Sequence, residues 1–162
     1  MKLKEILQDD SLQNIKLAAG VDGLYREVTQ ISIIDTPDML DILYAGQLLV
    51  TAGFYFHENQ NILKQLVVHM HKIHGAGIVI KHSANLKVLS QDVTQLANKL
   101  NMPILWSPEH KELSLTVKQF TQAMCTIQNF ELKQIIVINQ QLSELNTKNI
   151  TYQHLLDQSA KI

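Results

Sequence analysis

Cys125 is the only cysteine in this 162-residue chain. It leaves no internal disulfide to form and no cysteine-based metal cage to assemble, so a buried, inert thiol is the expected role. Excess charge of either sign is lacking as well: 14 basic residues stand against 15 acidic ones, for a formal net charge of −1. That balance offers no electrostatic footprint for DNA, RNA or an anionic membrane surface. No stretch approaches the roughly 18 apolar residues a membrane span needs. The first ten residues carry Lys2, Lys4, Glu5, Asp9 and Asp10, so they lack the apolar core of a secretory leader. A cytoplasmic setting is expected. Glycine and proline also run out, since all six glycines and all three prolines lie at or before Pro108. That boundary separates a compact part from a helical one.

Apolar residues make up 46% of the chain, enough for one domain with a core plus an appendage. In the compact part, short apolar runs alternate with amphipathic segments. Residues 15–18, 31–35, 48–51, 77–80 and 103–106 read as strands, and several are apolar throughout rather than alternating. Such runs belong to strands covered on both faces. Helices are expected over 3–8, 58–74 and around 93–100. In the second of these, Ile62, Leu66, Met70 and Ile73 share one face at three- and four-residue steps. Gly20 and Gly23 mark a turn where positive φ is easiest. The fold class that follows is α/β, a mostly parallel or mixed central sheet with flanking helices, followed by a long C-terminal helix.

From Leu113 onward the pattern is helical. Val117, Phe120, Met124 and Ile127 form one stripe; Ile135, Ile138, Leu142 and Leu145 form a second, slightly out of phase with it at Glu131. The second stripe needs a partner, and a second copy of the chain is the preferred one, with a fold-back onto the chain's own domain as the alternative. Two heptads do not amount to a secure coiled coil. The expected division is a domain over 1–110, a long helix over 111–148, and the start of a following segment over 149–162. Leu155 and Leu156 read as the opening of something that continues.

Ligands of open α/β sheets settle outside the carboxyl ends of the strands. Those ends supply Asp35 and Thr36, then Thr51 and Gly53, then Lys81 and His82, then Trp106 and Ser107. A small, polar, nitrogen-rich metabolite fits such a rim: Trp106 would stack a planar ring, Asp35 would accept its N–H donors, and Gly53 would let it approach the backbone. The plainer reading is that Asp35 and Thr36 only start the turn before Pro37 and that Lys81 is a solvated strand end. Asp, Thr and Lys at successive strand ends are also the arrangement of phosphoacceptor receiver domains. Here the first strand ends Leu17-Ala18-Ala19-Gly20, with no carboxylate before Asp22 to seat the metal.

Other chemistry is thin. His69 and His71 point about 200° apart on a helix, and His71 with His74 makes only two ligands, so no metal and no cofactor are expected. There is no nucleophile elbow and no phosphate-cradling glycine loop, and Gly75-x-Gly77 precedes a strand instead of opening a helix. A small-molecule enzyme built on Asp35, Thr51 and Lys81 stays as an alternative, as does a protein-docking module without a ligand. The enzyme requires those three side chains to meet in one pocket.

The run Leu43-Tyr44-Ala45-Gly46-Gln47-Leu48-Leu49-Val50-Thr51-Ala52-Gly53 resembles a segment of the N-terminal domain of purine-catabolism (PucR) type transcription regulators. Ala19-Gly20-Val21-Asp22-Gly23-Leu24-Tyr25-Arg26-Glu27-Val28 is similar to the same family's Gly-x-x-Gly-Leu-x-Arg-x-Val turn. Gly75-Ala76-Gly77-Ile78 and Leu100-Asn101-Met102-Pro103-Ile104 follow in the expected order, so the resemblance covers roughly residues 3–128. Gln47 departs from it, standing where the family usually has glutamate. The resemblance implies that this is the non-catalytic sensor region of a parent protein with a middle domain and a C-terminal helix-turn-helix, the latter outside these residues. The expected homodimer rests on the second stripe of the long helix. Such regulators control the catabolism of purines or other nitrogen compounds. Direct nucleic-acid contact by this chain is not expected.

Overall fold

The computed structural model describes residues 1–36, 39–83 and 86–159, with the side chains of residues 39, 57, 58 and 144–159 left aside. Five strands form one mixed sheet: β1 (Lys16–Ala19), β2 (Gln30–Ile33), β3 (Gln47–Thr51), β4 (Gly77–Lys81) and β5 (Ile104–Ser107). Their order is β1-β5-β4-β3-β2, with β1 antiparallel to β5 and every other pair parallel. The helices are α1 (Leu3–Ile6), α2 (Phe54–Glu58), α3 (Gln60–Lys72), α4 (Gln91–Lys99) and α5 (Leu113–Ser159). The chain is thus α/β with a long C-terminal helix. It divides into two compact units, Met1–Met124 and Cys125–Ile162.

β2, β3, β4 and β5 each lie beside the next, so the chain steps across the sheet in one direction. Right-handed crossovers then put α3 and α4 on one face. Leu49, Ile78, Ile80 and Ile104 point that way and join Leu63, Leu66, Val67, Met70, Val93 and Ala97 in the main core. Leu48, Val50, Val79 and Leu105 have the opposite parity and are buried as well. The apolar residues left to cover that second face include Leu3, Ile6, Leu12, Phe120 and Ala123. Ser107, on the Leu105 side, lies 3.0 Å from the Thr116 hydroxyl, which places the first turns of α5 there. Burial on both faces is why β3 and β4 read as unbroken apolar runs.

Several local expectations need correction. The helix expected over 58–74 is α3, which starts at Gln60, with Glu58 ending the preceding α2; Asn59 between them caps α3, its side chain accepting from Asn61 N at 2.9 Å. The buried stripe of α3 is Leu63, Leu66, Val67 and Met70, with Ile73 packed against the core; of the expected face only Ile62, 37% exposed, falls outside it, and Leu63 takes its place. Gly20 does have φ +75°, but Gly23 is glycine for space, because a Cβ there would collide with the Asn101 carbonyl. Cys125 is exposed, not buried.

Arg26 binds the amino-terminal edge together. Its Nε donates to Asn101 O at 2.6 Å, and its two terminal nitrogens donate to Gly75 O at 3.0 Å and Leu100 O at 3.1 Å. These carbonyls close the carboxyl ends of α3 and α4, where a cation offsets the helix dipole. His71 Nδ1 stands 3.1 Å from the same guanidinium and 3.0 Å from Leu100 O. Burial lowers the pKa of Arg26, yet a guanidinium remains charged at any ordinary pH.

Candidate functional site

Because β2 to β5 are parallel, their carboxyl ends share one edge, and two neighbouring clefts open there. The first, about 440 Å³, is lined by Trp106, His82, Lys16, Lys87, Glu109 and His110 among others. The second, about 560 Å³, is lined by Asp35, Phe54, Lys81, His82, Glu109 and Glu112 among others. His82 and Glu109 belong to both walls.

The β ladder sets the first cleft. Trp106 pairs with Ile80 on β4 and with Lys16 on β1, which puts the Lys16 side chain beside the indole. His82 N donates to Ser107 O at 2.8 Å, extending the β4–β5 pairing by one residue. The imidazole of His82 thereby meets Trp106 edge-on, with ring centroids 5.4 Å apart and planes at 78°. The loop carrying Lys87 is tied to α3 by Gln60, whose Oε1 accepts from Ser90 N at 2.6 Å and whose Nε2 donates to Val88 O at 3.2 Å. Ser90 in turn caps α4, accepting from Val93 N at 3.4 Å.

The second cleft is built around a carboxylate clamp. Asp35 Oδ1 accepts from the Thr51 hydroxyl at 2.8 Å and Oδ2 accepts from Ala52 N at 3.2 Å. Thr51 Oγ1 also accepts from Gly53 N at 3.1 Å. The clamp ties the end of β2 to the end of β3 and holds Asp35 at the cleft wall.

Of the six residues expected on the rim, Asp35 and Lys81 line one cleft and Trp106 the other. Thr51 is fully buried and supports Asp35 from behind. Gly53 has φ +75°, and a Cβ there would press on Ile80 Cγ2 at 2.8 Å, so its missing side chain makes room for the protein's own packing. Thr36 is exposed and lies in neither cleft wall. The Asp35, Thr51 and Lys81 trio does not assemble as a catalytic set. Thr51 pairs with Ile80, so Lys81 projects from the opposite face of the sheet, and Thr51 is buried behind Asp35, outside both cleft walls.

Sequence reasoning missed Lys16, Lys87, Glu109, Glu112 and His110. Lys16 was legible only through strand pairing, and the other four sit in loops with no periodic signal. Gln47 lies far from the clefts, at the amino end of β3. Its Oε1 accepts from Tyr44 N at 2.8 Å and closes the turn into the strand. The departure from glutamate keeps an acceptor oxygen there and touches neither cleft. Among the described residues no group of three His, Cys, Asp or Glu is placed to hold a metal. Among the described residues, too, no helix is long and apolar enough to cross a membrane.

In the second unit, Ile135, Ile138 and Leu142 are each about half exposed, in company with Phe130, Leu132, Ile136 and Val137. The Leu145 side chain lies outside the described residues.

A profile of the purine catabolism regulatory protein-like family, PucR, matches residues 5–124. The chain belongs to this family. The PucR match covers the whole sheet and both clefts. The chain is also 29% identical over 136 residues to the purine catabolism regulatory protein of Bacillus subtilis (strain 168), covering 84% of this chain and 26% of that protein. The PucR chain therefore spans about a quarter of the length of that curated relative. A solved structure of the CBS and DRTGG domains from the regulatory region of a Clostridium perfringens pyrophosphatase, in complex with its activator diadenosine tetraphosphate, aligns with a TM-score of 0.48 at 11% identity. That alignment covers 75% of this chain and 46% of the other.

Proposed function

We propose that this chain is the non-catalytic, metabolite-sensing and dimerising region of a cytoplasmic transcription regulator of purine or other nitrogen-compound catabolism. Its membership of the PucR family supports the regulatory role. The observation that carries the sensing role is the pair of clefts on the carboxyl edge of the sheet, the edge where α/β folds receive ligands. Trp106, Asp35 and Lys81 are the residues carried forward as ligand contacts, with Thr51 and Gly53 shaping the support behind them and Thr36 beside the rim.

A second copy of the chain is the proposed cover for Ile135, Ile138, Leu142 and Leu145. The positions flanking that stripe are Gln134, Asn139 and Gln141, all uncharged. Identical helices therefore meet along it without like-charge repulsion. DNA contact is assigned to other parts of the regulator, because the chain has a net charge of −1.

The test is thermal unfolding of the chain against purine-degradation intermediates and amino-acid-derived nitrogen compounds. A compound present at 100 times its dissociation constant adds about 2.7 kcal/mol of stability. At least one compound raises Tm in wild type and fails to do so in Trp106→Ala or Asp35→Ala. No shift from any compound would turn the reading toward a docking module that receives its signal from a protein.

A further inference from the structure

The two clefts carry opposite charge, and this identifies the class of ligand that the Trp106 cleft takes. Its wall holds two lysines, Lys16 and Lys87, and two imidazoles, His82 and His110, against a single carboxylate, Glu109. The neighbouring cleft holds three carboxylates, Asp35, Glu109 and Glu112, against one lysine, Lys81, and the shared imidazole of His82. Lys16 is brought beside the indole by strand register, and Lys87 by a loop that Gln60 pins at both Ser90 and Val88. The cations are therefore delivered to Trp106 by two separate, tethered elements. Aromatic surface with flanking ammonium groups suits a flat ring system bearing negative charge: the ring packs on the indole, and the anion accepts from the lysines. A cation would meet repulsion there and find its complement next door.

We propose that the Trp106 cleft binds a small planar anion, with Lys16 and Lys87 contacting its negative group and Trp106 its ring. This rests on the sensor reading and narrows it to one cleft and one charge. An extended ligand with a positively charged end would place that end toward Glu112 and Asp35, beyond His82.

Trp106 is the only tryptophan of the chain, so emission excited to the red of the tyrosine band reports this cleft. Three probes of nearly one shape separate the charges: nicotinate, neutral nicotinamide and cationic 3-(aminomethyl)pyridine. Nicotinate gives a saturable change in Trp106 emission, and the other two bind about tenfold more weakly or not at all. Lys16→Met and Lys87→Met each weaken nicotinate about tenfold while leaving Tm where it was. Equal or tighter binding of the amide or the amine would overturn the proposal, as would nicotinate binding indifferent to both lysine variants. Silence from all three probes overturns it too. If a compound nevertheless raises Tm in the broader screen, sensing stands and only the anion assignment to this cleft is lost.

Discussion

The Thr51 hydroxyl, fully buried at the end of β3, donates to Asp35 Oδ1 at 2.8 Å and fixes the carboxylate that lines the second cleft. Two residues 16 positions apart thus divide one task. Asp35 faces the cleft, and Thr51 holds it there while accepting from Gly53 N.

Thr51→Val keeps the shape and removes the hydroxyl. It strips Asp35 of one donor and leaves the buried Gly53 N–H without its acceptor. Chemical denaturation should show a loss of about 1–3 kcal/mol. Thr51→Ser retains the bond and should cost clearly less.

Arg26→Met leaves three backbone carbonyls, those of Gly75, Leu100 and Asn101, without the donor they share. The expected loss is about 3 kcal/mol or more, since bonds to a charged group are worth more than neutral ones. Arg26→Lys recovers little of it, because an ammonium cannot span three separate acceptors with the geometry of the guanidinium fork. Urea unfolding of the three proteins checks both statements.

Gln47→Ala opens the Tyr44 turn and should cost about 1–2 kcal/mol. Gln47→Glu keeps the acceptor oxygen. In neither variant should the affinity for a ligand of the carboxyl-edge clefts change, because Gln47 sits at the other end of β3. A ligand titration of Gln47→Glu that moved more than about threefold, roughly half of the 1.4 kcal/mol that marks a tenfold change, would contradict this placement.

Lys111 is 8% exposed. Burial lowers its pKa from the usual 10.5. The folded chain therefore sheds this proton at lower pH than the unfolded chain. The cost of holding the charge is fully present below the folded pKa and fades as pH rises toward 10.5. Lys111→Met should raise Tm at neutral pH, read by thermal unfolding, because the apolar side chain carries no desolvation cost of a charge. The gain should shrink in alkaline buffer.

The sheet itself was legible from residues, because strands covered on both faces lose their alternation and Leu48-Leu49-Val50 and Ile78-Val79-Ile80 cannot be half-exposed. The edge that carries the clefts followed, since parallel strands must share a carboxyl edge. Less legible was anything joining distant residues. The three carbonyls that Arg26 gathers lie 49 to 75 positions away. The split of the rim into two clefts depends on where the 108–112 loop places Glu109, and turn residues carry no period to read. The error at Ile62 has a simple cause: the stripes starting at Ile62 and at Leu63 share Leu66 and Met70, and only packing chooses between them.

In the proposed sensor, ligand at the carboxyl edge and pairing through α5 are one equilibrium. Sedimentation equilibrium of the wild-type chain, alone and with a saturating compound that raises its Tm, tests it most directly. A sensor must bind its ligand unequally in its two arrangements, since equal affinity shifts nothing. The account predicts a dimer whose dissociation constant changes about fivefold or more with the compound, and a monomer when Ile138 and Leu142 are both replaced by Ala. A chain that stays monomeric, or a dimer whose dissociation constant ignores the ligand, would contradict it.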